Sequence, residues 1–404
     1  MRIRKSYLVA VLIILFPIMN LMSGSSIASY YDELIGGVAL IFVMYLLVQS
    51  KLSKSDTFIC LILGMITIIG LVSNIFSQLI DNAFVIAIDV LWLWKTFTCF
   101  IAFKYISMKL NREFVIRALL PVAKLTVVFV FLVFIIGEVI DIGVTGSMVF
   151  GNIRSFNFFW NNGIQTGWLL FCSVMILSAG ELKKSSFRNY LIMSIIPMIM
   201  TFSSLVWCWV FIEIALLLML RKNKLLSKKS IVVLACGVGA SAMADIRTYF
   251  LSESIRMTMI RYGIRTANTY FPLGSGFATY GSDMASRFYS KLYIQYGWEY
   301  AWGLGRYSGQ YLNDNFFAGI VGQFGWIGFV LYLLCLVILF NQVNTLNLSK
   351  IERISAIATV LTICVVMIGS ASAKSMMGVC TFAVLGIICA KSNIKENPGR
   401  ENNG

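Results

Sequence analysis

The chain has 404 residues, of which 59% are hydrophobic and only 13% charged. That apolar share is far above the soluble-domain average, and it excludes a globular water-soluble enzyme as well as a disordered chain. The net charge of +15 reads as the cationic bias of short loops between membrane spans, not as a nucleic-acid footprint. Histidine is absent, which excludes a histidine base, a Ser-His-Asp triad and histidine-based metal sites. Nine cysteines lie mostly inside apolar runs with no CxxC spacing, as expected of small buried apolar residues.

Apolar runs of roughly 17–25 residues recur, the length that crosses ~30 Å of hydrocarbon. They are continuous, not alternating, so they predict helices. Arg2, Arg4 and Lys5 precede a first run, Tyr7–Met22. The SSIAS after it has the look of a signal-peptidase site, but a retained first helix gives a consistent topology. Further spans are predicted at Leu34–Val48, Thr57–Phe76, Ala83–Phe103, Ala118–Ile140 and Ile164–Ala179. Tyr190–Leu220 lies between two basic loops. Two short helices turning near Phe202-Ser203-Ser204 keep both loops on one side. Ile231–Ala244, Phe316–Phe340, Ile354–Ala373 and Met376–Ala390 complete the set.

The expected fold is therefore an all-α polytopic membrane protein of about 12 transmembrane helices, with both termini cytoplasmic. It forms one integral membrane domain over 1–404, with no internal repeat and no soluble domain. Of the 33 Lys and Arg, 22 fall in inside loops or tails. Two segments are expected outside: a short loop, 141–162, and one long extracytoplasmic loop, 245–315, between spans 9 and 10. Nine of the other basic residues fall outside: Arg154, Arg247, Arg256, Arg261, Arg265, Arg287, Lys291, Arg306 and Lys374. Seven are arginine, whose planar fork binds phosphate oxygens bidentately.

The stretch Phe150–Asn162 sets Arg154 among four asparagines, including Asn157, and several aromatics. Such side chains can hold sugars, or the aromatics can form an interfacial belt. The long loop carries 10 of the 17 tyrosines. Arg261 and Arg265, four apart, would share one helical face. Asp283–Tyr296 has the pattern of an amphipathic helix lying on the membrane. Pro272, Gly274 and Gly276 mark a tight turn. GSGFATYG there is not GxGxxG and follows no strand, so it is not a nucleotide site. Asp314 stands between Asn313 and Asn315 before a long apolar run. Without histidine, a carboxylate is the natural general base. It is equally placed to cap the helix that follows. Asp89 and Lys95 fall inside a span, where a charge costs roughly 2.5–3.5 kcal/mol and so wants a partner. Pairing with each other or with Lys124, or lining a cavity, would answer that.

Three stretches resemble the O-antigen and capsular polysaccharide polymerases of bacteria (Wzy type), which share a superfamily with O-antigen ligases. The first is Arg154-Ser155-Phe156-Asn157. The second is Arg261, then YFPLGSGFATYGS (270–282) and YSKLYIQYG (289–297). The third is Asp314-Asn315, nine residues, then Gly325-x-x-Gly328. Ligases carry a histidine where this chain has Asp314, which favours the polymerase. The resemblance implies a GT-C-like membrane fold and an undecaprenyl-pyrophosphate-linked oligosaccharide as substrate, joined on the outer face of the bacterial cytoplasmic membrane. The glycosyl transfer would invert the anomeric carbon and release undecaprenyl pyrophosphate. Partners implied are membrane lipid, a chain-length regulator and a flippase. Arg154, Arg261 and Arg265 would stabilise the leaving pyrophosphate, and Asp314 would take the acceptor proton. Arg256, Arg287, Asn157, Asn315, Tyr270, Tyr289 and Tyr293 would bind substrate. No outside carboxylate cluster suits a divalent cation, so no metal or cofactor is expected. Two other readings remain: a ligase acting on another acceptor, and a non-enzymatic flippase or transporter of lipid-linked sugars. A transporter should carry its charges mainly within spans and often shows repeats.

Overall fold

A computed structural model describes residues 2–22, 28–150, 153–160, 162–180, 184–219 and 254–390. The predicted span Ile231–Ala244 and Arg247 lie outside the described residues. Apart from one β-hairpin, the regular secondary structure among the described residues is helical. The helices are α1 (Arg2–Leu21), α2 (Tyr31–Val48), α3 (Lys54–Ser77), α4 (Ala83–Leu110) and α5 (Arg112–Val139). The hairpin β1 (Thr145–Phe150) and β2 (Ile153–Phe156) follows, then α6 (Gly163–Gly180), α7 (Lys184–Met200) and α8 (Ser204–Met219). After the undescribed stretch come α9 (Ile255–Thr269), α10 (Asp283–Arg287), α11 (Lys291–Gln295), α12 (Phe316–Thr345), α13 (Lys350–Gly369) and α14 (Met376–Ile388).

Seven helices among the described residues are long and apolar enough to cross a membrane: α2 to α6, α12 and α13. The apolar part of α1, α8 and α14 are shorter. The break expected between residues 190 and 220 falls at Thr201-Phe202-Ser203, where Phe202 takes a positive φ of 49°. The axis of the bundle is α4, which is in contact with α2, α3, α5 and α14. Its middle turns are buried on every side, from Trp92 to Phe103, as expected of a helix that is apolar all round.

Helix starts follow their sequence signals. Ser53 caps α3 through the Asp56 N–H, and Asn82 caps α4. Ser349 and Glu352 form a reciprocal capping box on α13. One end of the bundle carries the hairpin and the segment 270–315. Here Arg287 reaches Tyr30 before α2, and Lys291 reaches Asp81 before α4.

That loop-bearing segment does not simply sit in water, as the sequence reading expected. Residues 274–280 are buried and wedged between α3, α4 and α12. Irregular backbone among membrane helices needs protein partners for its polar groups, and this segment has them. Ser73 Oγ donates to Gly274 O and Ser77 Oγ to Ser275 O. Asn74 clamps Phe277 on both sides, N–H to Oδ1 at 2.8 Å and Nδ2 to carbonyl at 2.9 Å. Ser275 N and Gly276 N donate to Gly322 O and Gln323 O of α12. The helix opens to receive them. Gly325 leaves the helical region with φ 64° and ψ −168°, and a Cβ there would lie 2.6 Å from Pro272 O. Only glycine permits both the dihedral and the approach.

Candidate functional site

The third motif builds the site. The helix start falls one residue later than Asp314. Asn315 is the cap of α12: its Oδ1 accepts the Ala318 N–H at 3.0 Å, and its Nδ2 donates to Ile368 O of α13 at 3.1 Å. This corrects the capping role weighed for Asp314 and explains why the Asn is needed beside it. Asp314 is thereby free to face α9. Its Oδ2 accepts from Arg256 Nε at 3.0 Å, with the two side chains 26% and 25% exposed, Arg256 first. Burial lifts the Asp314 carboxyl above the ordinary aspartate range, and the Arg256 charge pulls against that rise.

The placement of α9 follows from small residues. Gly263 lets it approach α12 so closely that a Cβ would stand 2.8 Å from Ala318 O. Trp326 Nε1 donates to Asn268 Oδ1 at 3.0 Å further along. Ser254 caps α9 through the Met257 N–H. With α9 so held, Arg256 meets Asp314, and Arg261 and Arg265 project from the same helix. Both are exposed. Arg265 lies over the Tyr262 and Tyr296 rings at 5.6 and 5.7 Å. Among the described residues Arg261 has no hydrogen bond or ion pair. Two guanidinium groups with no carboxylate partner among the described residues are what an anionic ligand would meet.

Other predicted residues are placed differently. Arg154, on β2, pairs with Asp141 at 3.0 Å. No described hydrogen bond or ion pair joins it to Arg256, Arg261, Arg265 or Asp314. The Gly143 N–H and Arg154 together hold Asp141 below the ordinary carboxylate range. Asn157, next to β2, donates its N–H to Val144 O. Arg287 is engaged by Asp283 at 2.7 Å and by Tyr30.

The tyrosines form a core, not a sugar platform. Tyr280, Tyr289, Tyr293, Trp298, Leu292 and Met259 pack together. Tyr293 is fully buried and its hydroxyl accepts the Gly281 N–H, while Tyr289 donates to Leu304 O. Both are thereby withdrawn from contact with a sugar. Tyr270 packs on the edge of this cluster, partly buried. Burial raises the pKa of all three. The single amphipathic helix expected over Asp283–Tyr296 is two short helices, broken at Phe288-Tyr289-Ser290 by a positive φ at Tyr289. Leu292 and Tyr296 of its apolar side pack into this core, while Phe288 stays exposed. The exposed aromatics of the segment are instead Phe271, Phe288, Tyr300, Trp302 and Tyr307.

Buried charges were foreseen, but with the wrong partners. Lys95 pairs with Asp32 at 2.5 Å and Glu33 at 2.9 Å, from the start of α2. Asp89 bonds Gln323 and the Ala278 N–H, and Lys124 lies 5.6 Å over the Tyr190 ring. Lys374, expected outside, is buried in the elbow between α13 and α14. It donates to Trp92 O, Leu93 O and Thr96 Oγ1 and lies under Phe316, the first residue of α12. The signal for the α3 clamp was available in the sequence: Ser73, Asn74 and Ser77 make one polar face at the end of an otherwise apolar span. No group of three His, Cys, Asp or Glu side chains suited to a metal is found among the described residues.

No protein-family model matches this chain, and no curated protein does either.

Proposed function

We propose that the protein is a glycosyltransferase of the membrane surface, a polymerase joining lipid-pyrophosphate-linked oligosaccharide repeat units on the outer face of a bacterial cytoplasmic membrane. The observation that carries this reading is the Arg256–Asp314 pair at the start of α12, beside Arg261 and Arg265 of α9, which have no carboxylate partner among the described residues. In this reading Asp314, kept ionised and oriented by Arg256, accepts the proton of an acceptor hydroxyl. The hydroxyl oxygen bonds to the anomeric carbon as the bond from that carbon to the pyrophosphate oxygen breaks. The electron pair leaves on the pyrophosphate, and Arg261 and Arg265 neutralise the charge that develops there. The GxxG spacing then has a structural sense, because Gly325 opens α12 to seat the 272–282 segment below the site.

A second reading, a transporter of lipid-linked sugars, is favoured by the buried Asp32, Lys95, Asp89 and Lys374 with half-buried Glu33 beside them, since ionisable groups among membrane helices commonly line a transport path. Purified protein with a synthetic lipid-pyrophosphate-linked repeat unit separates the two. A product ladder spaced by one repeat unit, lost in Asp314→Asn, supports the polymerase. Folded protein that forms no product but moves the lipid across vesicles supports transport. Transfer only to a different acceptor supports a ligase.

A further inference from the structure

Asp89 is completely buried in the second turn of α4. Its Oδ2 accepts the Ala278 N–H at 2.6 Å and Gln323 Nε2 at 3.0 Å. Its Oδ1 has no partner, and neither has Oε1 of the equally buried Gln323. Ala278 holds a positive φ of 59°, a conformation alanine keeps only where its surroundings impose it. Three elements therefore meet on one carboxyl: α4, the 272–282 segment and the stretch of α12 just before its kink.

No ion pair involves Asp89 among the described residues. Ser282 Oγ and Asp283 face it from the inserted segment and α10, Tyr293 from α11 and Lys374 from the α13–α14 elbow. Asp283 is engaged by Arg287, and Lys374 has all three ammonium hydrogens on α4 acceptors. An ionised carboxylate so buried, with no cation touching it, is costly, and it would leave two acceptors orphaned. A neutral acid is different. A carboxylic acid and a primary amide close on each other with two hydrogen bonds, N–H to one oxygen and O–H to the amide carbonyl. One of these is already present at 3.0 Å. A single proton on Oδ1, with that oxygen against Gln323 Oε1, would supply the other and remove both orphans.

We propose that Asp89 is held protonated, closed on Gln323 as an acid–amide pair. The pair is a positioning device that fastens the 272–282 segment and the kinked α12 to α4, and so fixes the turn bearing Asp314. Only its activity readout rests on the polymerase reading. The test is infrared difference spectroscopy on purified protein at neutral pH, wild type minus Asp89→Asn, with thermal unfolding alongside. Glu33 and Glu213, the other carboxyls among the described residues with an orphaned buried oxygen, are common to both samples and cancel.

The expected result is a protonated-acid carbonyl band, shifted in heavy water and absent from Asp89→Asn. Asparagine keeps an acceptor and supplies the second donor, so this variant retains wild-type unfolding temperature and transferase activity. Asp89→Leu breaks both bonds, unfolds at lower temperature and loses at least about tenfold in activity. A carboxylate band in place of the acid band overturns the proposal. So does an Asp89→Asn variant as unstable as Asp89→Leu, or one that does not fold. If wild-type protein shows no transfer at all, the polymerase reading fails while the spectroscopic and unfolding results still decide this one.

Discussion

At the end of the bundle opposite the loops, Asp56 accepts from Lys104 at 2.8 and 3.1 Å, from Gln342 at 3.1 Å and from Tyr105 at 3.0 Å. Arg112 meets Glu352 at 3.0 Å. Lys104 and Arg112, the cations buried between helices there, have carboxylates, and these contacts tie α3, α4, α12 and α13 together. At the loop-bearing end the balance differs. Arg256 has Asp314, but Arg261 and Arg265 have no carboxylate among the described residues, and Lys374 rests on carbonyls and rings. Paired charges at one end hold the helices in register. Arg261 and Arg265 of α9, at the other, are suited to a ligand that brings its own negative charge.

Substitutions can break this contrast. Asp314→Asn should cost about 10²–10⁴ in transfer rate, the usual worth of a general base, while unfolding temperature stays within the error of wild type because Asn315 is the cap. A large fall in unfolding temperature would show that Asp314 is structural. Lys104→Met should do the reverse. It strands a buried carboxylate and should destabilise by about 3–5 kcal/mol, seen in chemical or thermal unfolding, with activity per folded molecule preserved. Arg261→Lys should lose about 10²-fold in kcat at unchanged stability, because an ammonium cannot make the bidentate contact. Near-normal kcat would remove Arg261 from the site.

The pH profile sharpens the same comparison. Asp314 is raised by burial, and a base works only deprotonated. Activity should therefore fall, as pH drops, at a pH above the ordinary aspartate value of about 3.9. Arg256→Gln removes the opposing charge and should move that acid limb higher still. For stability the sign is opposite. A raised folded-state pKa contributes stability below the unfolded value and loses it as pH rises through the folded one. The smallest effect belongs to Asp141→Asn, which breaks the exposed Arg154 pair and should change stability by about 0–1 kcal/mol, measured by unfolding. A loss of transfer in that variant would bring the hairpin into the site after all.

The helices were legible because hydropathy over some 20 residues is a local property, and so was the break at Phe202. Asn313-Asp314-Asn315 and GxxG stood out for the same reason: polar and glycine residues are conspicuous against an apolar background. Which of the three loop residues would cap α12 was not legible, since Asp and Asn are equally good caps and the choice depends on α9 and α13 packing beside them. The tyrosines misled because a membrane-surface loop with a small core of its own has the same composition as a sugar-binding face.

The sequence by itself determined a helical membrane bundle, its polar loop-bearing segments and a supply of carboxylate and arginine side chains without histidine. Periodicity, length and residue type carry that information along the chain. Only the tertiary structure decided that Arg256 meets Asp314 across 58 residues, that Lys95 finds Asp32 and Glu33 instead of Asp89, and that the 272–282 segment inserts at the Gly325 kink. Those pairings are set by which helices touch, and a buried polar group takes whichever partner the packing brings within hydrogen-bond reach.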